Sequence, residues 1–173
     1  MKYVAFLRAI NVGGNAIIKM ADLKQMFESV GLENVQTYIQ SGNVIFESAE
    51  DAASLEKLLE RQLENAARYP IRLFVRTMQA VQSIARNAPF TAKEDEAVYV
   101  AFLDQKLDKK RQQVLLSLKS EADDFAIKGR EIFNLRRDRE KSVFSNNFLE
   151  KQLKVSATTR NLTTIQKIVE KFK

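Results

Sequence analysis

Tyr3-Val4-Ala5-Phe6-Leu7 returns unchanged as Tyr99-Val100-Ala101-Phe102-Leu103, and this repeated pentapeptide decides the fold. The first copy sits within Lys2 to Ala9, which reads as a strand apolar on both faces and therefore central in a sheet. Two further stretches repeat in the same order. Gly42-Asn43-Val44-Ile45-Phe46 aligns with Gly129-Arg130-Glu131-Ile132-Phe133, and Leu59-Glu60-Arg61-Gln62-Leu63 aligns with Leu149-Glu150-Lys151-Gln152-Leu153. Three matches in one order predict a duplicated unit.

The content of that unit follows from periodicity. Met20, Leu23, Met26, Phe27 and Val30 fall at helical spacing, with Asp22 at the opening and Gly31 placed to end the helix. Val35, Thr37 and Ile39 alternate with Gln36, Tyr38 and Gln40, and Ser41-Gly42-Asn43 is a hairpin signal before a strand from Val44 to Glu47. Ser48 to Asp51 resembles a capping box ahead of a helix carrying Leu55, Leu58, Leu59, Leu63 and Ala66. Ile71, Leu73 and Val75 alternate with Arg72, Phe74 and Arg76 and close a β-α-β-β-α-β pattern, the ferredoxin-like arrangement. Its first two strands run parallel with the third antiparallel between them, and its helices share one face.

Thr77 can cap a short helix with Val81, Ile84 and Ala85, ended by Pro89, and Thr91 to Glu96 is a polar linker. The expected organisation is an α/β (α+β) protein: a ferredoxin-like subdomain at 1–76, helix and linker at 77–96, and a second ferredoxin-like subdomain at 97–173. The second ends in a C-terminal helix with Leu162, Ile165, Ile168, Val169 and Phe172, and the whole forms one compact unit.

Composition limits the chemistry. Of 173 residues, 45% are hydrophobic and 29% charged, an ordinary globular balance, but Cys, His and Trp are all absent. Without Cys and His there is no disulfide framework, no thiolate nucleophile, no Ser-His pair and no usual zinc site, so neither metal nor cofactor is expected. Met1-Lys2 followed by a short apolar run broken at Arg8 is no signal peptide, and the uncharged stretch Ala9 to Ile18 is too short for a membrane span. A cytoplasmic location is expected. The net charge of +6 is concentrated: Lys128 to Lys173 hold 12 Lys and Arg against 5 Asp and Glu, including Arg136-Arg137-Asp138-Arg139-Glu140-Lys141.

The duplication isolates one connection. Leu7 and Asp22 are 15 positions apart while Leu103 and Asp108 are 5 apart, so the first copy carries an added loop holding Gly13 and Gly14. Parallel first and second strands bring Arg8, Asn11, Gly13, Gly14 and Asn15 to the same sheet edge as Gln40, Ser41, Gly42 and Asn43. Glycines let successive N–H groups converge into an anion-binding nest, and Arg8 can add a bidentate contact. The hairpin is equally explained as a turn needing positive φ. A third candidate is Ala157-Thr158-Thr159-Arg160-Asn161, where Thr159 or Asn161 caps the last helix and leaves Arg160 beside its dipole. Arg72, Phe74 and Arg76 share a strand face on which a base could stack, although the RNA-binding consensus is absent.

These residues suit a small anionic ligand such as a phosphorylated metabolite or nucleotide. Two alternatives stay open: a nucleic-acid or protein partner on the basic C-terminal quarter, and an enzyme working without Cys or His, with Ser41, Tyr38 or Glu47 as its reactive groups.

Arg8-Ala9-Ile10-Asn11-Val12-Gly13-Gly14, Gln40-Ser41-Gly42-Asn43-Val44-Ile45-Phe46 and Ala157-Thr158-Thr159-Arg160-Asn161 together resemble the motifs of the bacterial domain-of-unknown-function (DUF) family 1697. The resemblance covers essentially the whole chain. The family has Gly where Ala9 stands and continues its last motif with Trp where this chain has Leu162. The resemblance implies two ferredoxin-like subdomains and weight on the same three segments, but no activity.

Overall fold

The computed structural model describes residues 1–8, 10 and 17–173. In chain order the elements are β1 (Lys2–Leu7), α1 (Met20–Glu28), β2 (Glu33–Tyr38), β3 (Asn43–Glu47), α2 (Ala52–Ala67), β4 (Leu73–Thr77), α3 (Met78–Arg86), β5 (Ala97–Leu103), α4 (Lys109–Ser117), β6 (Asp123–Lys128), β7 (Glu131–Arg136), α5 (Asn146–Leu153), β8 (Ala157–Asn161) and α6 (Leu162–Phe172). They form two four-stranded antiparallel sheets, ordered β2-β3-β1-β4 and β6-β7-β5-β8, so the mixed α/β class read from the repeat is the one observed. β3 lies antiparallel between β1 and β2, as predicted. The chain divides into two compact units, Met1–Ser83 with Ile168–Lys173, and Ile84–Lys167.

In the first unit one sheet face, with Tyr3, Ala5, Leu7, Val44, Phe46 and Val75, packs on Leu23 and Phe27 of α1 and on Leu55, Leu59 and Leu63 of α2. In the second, Ala101, Leu103, Phe125 and Ile132 pack on Leu115 of α4 and on Leu149 and Leu153 of α5. The repeated pentapeptides therefore do the same work twice, each with alternate side chains under two helices. Phe74 on the other face of β4 is 1% exposed and Arg76 5%, so of the three residues on which a base could stack two are buried and only Arg72 is exposed.

The register corrects the second sequence match by one residue. Tyr3 stands opposite Phe46, whereas its counterpart Tyr99 stands opposite Asn134, so Phe46 corresponds to Asn134 and Ile45 to Phe133. The cause is turn length. Residues 39–42 connect β2 to β3, while Gly129 and Arg130 alone connect β6 to β7, so aligning the two glycines shifts the strands. A one-residue shift exchanges the faces of a strand. Asn134 accordingly lies on the helix-side face, fully buried, and donates to the Asp123 carboxylate at 2.9 Å.

Helix starts also depart from expectation. Asp22 lies inside the first turn of α1, whose N-cap is Lys19 without a side-chain bond. Asp51, not Ser48, caps α2, accepting the N–H groups of Ala53 and Ser54, both at 3.0 Å. Thr77 does cap α3, accepting from Ala80 N–H at 3.1 Å, and Asp108 caps α4 through Arg111 N–H at 2.8 Å.

Strands β4 and β8 are sheet edges, and their outward N–H groups are met by helix carboxylates. Glu60 accepts from Leu73 N–H at 3.3 Å, and Glu56 accepts from Val75 N–H at 2.8 Å. In the second sheet Glu150, the counterpart of Glu60, accepts from Ala157 N–H at 3.1 Å. Occupied edge donors cannot recruit another strand. Among the described residues no helix is long and apolar enough to cross a membrane.

Candidate functional site

The edge at the carboxyl end of β1 is built by backbone pairing. Leu7 N–H donates to Gly42 O at 2.8 Å, and Arg8 N–H donates to Arg72 O at 2.9 Å. Arg8 thus stands between the β2–β3 hairpin and the start of β4, with Arg72, which the sequence had placed elsewhere, as its neighbour. Arg72 Nε lies 3.2 Å from Glu60 Oε1. Asn11, Gly13, Gly14 and Asn15 lie outside the described residues.

The hairpin itself is tightly specified. Asn43 is fully buried and its amide donates to Tyr38 O at 2.9 Å and to Ser41 Oγ at 3.0 Å. Its side chain therefore builds the turn. Gly42 has φ +85°, and a Cβ there would sit 2.9 Å from Leu7 Cβ and 2.6 Å from Ile10 Cδ1. Glycine is required on both counts. Ile39 also has positive φ, +52°, a costly conformation for a β-branched residue, and its side chain is 49% exposed. Gln40 is exposed and Ser41 half-exposed, so of the hairpin candidates these two present polar groups to the surface.

The third candidate segment is a strand, not a loop before a helix. Ala157–Asn161 is β8, paired along β5 from Ala157 opposite Leu103 to Asn161 opposite Tyr99. Strand alternation separates its polar residues. Arg160 points with Thr158, is 8% exposed, and donates to Thr158 Oγ1 at 3.1 Å and to Thr159 O at 3.0 Å. Burial pushes its guanidinium down to about 10 from 12.5, still charged at neutral pH. Asn161 caps α6, accepting from Thr163 N–H at 2.9 Å. Thr159 shares the other face with Asn161, and its hydroxyl donates to Asn146 Oδ1 at 2.6 Å. So Arg160 and its two neighbours do not form one group.

Thr159 and Asn161 instead border a cavity of about 310 Å³ in the second unit, together with Tyr99, Arg136, Phe144 and Asn146. The Arg136 guanidinium carbon lies 4.4 Å above the Tyr99 ring centre, and Arg136 Nη2 donates to Phe144 O at 3.2 Å. In the sequence Arg136 opens the basic run Arg136 to Lys141 of the C-terminal quarter. The rest of that run forms a loop held by Asp123, whose fully buried carboxylate accepts from Ser142 Oγ at 2.8 Å and Val143 N–H at 3.1 Å.

Residues 1–133 match the sequence model of a family described as "Protein of unknown function (DUF1697)". The chain belongs to the DUF1697 family. A comparison with curated proteins gives no match. Among solved structures, a conserved bacterial protein from Streptococcus pneumoniae (SP0830) superposes with a TM-score of 0.77 at 24% identity, covering 99% of this chain and 98% of the other. At that identity the likeness concerns the fold alone. Both halves of the DUF1697 chain, with their two antiparallel sheets, are thus shared with that protein.

Proposed function

We propose that this DUF1697 protein binds a small anionic ligand, a phosphorylated metabolite or a nucleotide, at the carboxyl end of β1. The observation that carries the reading is the pair of backbone hydrogen bonds from Leu7 to Gly42 and from Arg8 to Arg72, at 2.8 and 2.9 Å. In support, Arg8 neighbours Arg72 along the backbone, and Leu7 before it pairs with Gly42 of the hairpin that carries the exposed Gln40 and half-exposed Ser41, while the Arg72 side chain is shared with Glu60 at 3.2 Å. Guanidinium, amide and hydroxyl donors at one edge favour an oxyanion over a cation or an apolar group. The chemistry asks for no thiol or imidazole, in keeping with a chain that has neither.

The test is thermal unfolding of the intact protein with inorganic phosphate and with adenosine monophosphate. A ligand that binds only the folded state raises the melting temperature with concentration. The expected result is a rise with at least one of the two that Arg8→Ala abolishes. No rise with either, or a rise that Arg8→Ala leaves intact, overturns the reading.

A further inference from the structure

The two halves of the chain are each other's control, and one of their differences lies around a tyrosine. Tyr3 and Tyr99 occupy equivalent positions in β1 and β5, within identical pentapeptides. Tyr3 is 3% exposed, stacks on Phe46 at 5.7 Å, and its hydroxyl donates to Glu50 O at 2.8 Å. Tyr99 is half-buried, meets Phe144 at 6.3 Å, and its hydroxyl makes no hydrogen bond among the described residues.

The difference traces to a missing helical turn. Leu149 and Leu153 match Leu59 and Leu63, which places Asn146 where Glu56 stands; α2 begins four residues before Glu56, at Ala52, whereas α5 begins at Asn146 itself. In the first unit that extra turn carries Leu55, fully buried in the core. Its counterpart is Ser145, which caps α5 and accepts from Phe148 N–H at 3.1 Å. Where one half has a buried leucine, the other has Ser145 at the border of the cavity of about 310 Å³. That volume is near the lower end of the range for small-ligand pockets, roughly 300–1,000 Å³.

The polar groups around the cavity are donors in surplus. Arg136 Nε is buried without a hydrogen-bond partner, and no carboxylate among the described residues pairs with the Arg136 guanidinium. Its neighbours are the Phe144 carbonyl at 3.2 Å and the face of Tyr99 at 4.4 Å. Asn146 Oδ1 is taken by the Thr159 hydroxyl at 2.6 Å, while Asn146 Nδ2 donates to nothing among the described residues. Asp123 stands opposite Arg136 in the β6–β7 register, but its carboxylate is taken by Asn134, Ser142 and Val143, and a buried donor such as Arg136 Nε without an acceptor is costly. Among the described residues no Asp or Glu borders the cavity. Its remaining capacity is the part of the guanidinium not donating to Phe144 O, one amide NH2 and one phenol, a set that matches the acceptors of an oxyanion.

We propose that this cavity binds a small organic oxyanion, a carboxylate or a phosphate, paired with Arg136 and hydrogen-bonded by Asn146 and Tyr99. It is a second site, independent of the β1 edge, because every group it uses belongs to the second unit.

The experiment is a titration of the intact, nitrogen-15-labelled protein with benzoate and, separately, with inorganic phosphate, following the Arg136 Nε–H and Asn146 side-chain NH2 resonances. Saturable shifts of both groups are expected with at least one probe. Benzoate alone assigns the site to carboxylates, phosphate alone to phosphates. R136Q should abolish the shift at Asn146, R136K should weaken it several-fold, and R139Q, at an exposed residue outside the cavity, should leave it unchanged. If R136Q does not fold, N146A serves in its place and should weaken binding several-fold. No saturable shift with either probe overturns the proposal, as does binding that N146A leaves untouched. Shifts confined to Arg8, Gln40 and Ser41 also overturn it while supporting the β1 edge; failure at that edge alone leaves the Arg136 result standing.

Discussion

The carboxylate of Glu56 on α2 accepts the backbone N–H of Val75 on edge strand β4 at 2.8 Å, and the same oxygen lies 3.7 Å from Arg76 Nη1. One side chain therefore ties a helix to a strand and serves a buried guanidinium. Glu60, one turn later, repeats the arrangement with Leu73 N–H and with Arg72, which is half-exposed. The two carboxylates differ in how much water reaches their partners, and that difference sets their weight.

Glu56→Ala should cost about 3 kcal/mol, because it removes a carboxylate from a buried Arg and an acceptor from a strand N–H. Glu60→Ala should cost about 1 kcal/mol, since its Arg72 partner is solvated. Urea unfolding of the two variants checks the order. Equal losses would show that burial of Arg76 does not matter.

Gly42→Ala should destabilise by roughly 2–4 kcal/mol, from positive φ and the contact of the new Cβ with Leu7 Cβ. Gly31 supplies the comparison, with φ +83° and nothing within 4 Å of an added Cβ. Gly31→Ala should cost about 1 kcal/mol, the backbone penalty alone. Thermal unfolding of both separates the steric part from the conformational part.

Ile39→Gly should stabilise the protein by about 0.5–1 kcal/mol. The exposed side chain contributes little burial, while glycine relieves the strain at φ +52°. A lower melting temperature in the variant would mean that the Ile39 side chain, half-exposed as it is, holds the hairpin.

Asp123→Ala should cost about 2–4 kcal/mol, leaving the buried Asn134 amide, the Ser142 hydroxyl and the Val143 N–H short of an acceptor. Hydrogen exchange at the Val143 amide should accelerate more than at Leu149, which belongs to α5. Uniform acceleration would indicate that the carboxylate supports the whole unit rather than the 137–145 loop.

Asp124 gives the acid limb of stability a specific contributor. Burial works to raise its pKa, but the Phe125 N–H and the Lys119 and Arg137 charges, at 3.3 and 3.4 Å, outweigh it and hold the group below its ordinary 3.8. A carboxylate depressed in the folded state stabilises fully above its unfolded pKa and loses that contribution as pH falls through the folded value. Asp124→Asn should therefore narrow the stability difference between neutral pH and pH values below about 3.8. An unchanged acid limb, measured by unfolding at several pH values, would contradict this.

The repeat was legible because Tyr3-Val4-Ala5-Phe6-Leu7 and its copy are apolar throughout and central in their sheets, where pattern and burial agree. The strand exchange at Phe46 and Asn134 was not, because glycine marks a hairpin without stating how many residues it contains. Thr159, Arg160 and Asn161 looked like one cluster in a helix cap; Thr158 and Thr159 are good strand formers, and reading them as a strand would have sent Arg160 to the opposite face. Arg136 was hidden in a basic run. The signal that could have found it is the late start of α5: a serine where the first copy has Leu55 says that a core position has been given up.

The C-terminal end of α6 and the residue after it, 168–173, belong with the first unit, where Lys2 Nζ donates to Phe172 O at 3.0 Å and Phe172 packs edge-on to Tyr38 at 5.8 Å. The second unit is thus nested within the first in chain order. During synthesis, the earlier half emerges from the ribosome lacking part of its own structure, and it must wait while the entire later half is made. The four strands of the first sheet are complete by Thr77, and the Phe172 contacts with Lys2 and Tyr38 are added last.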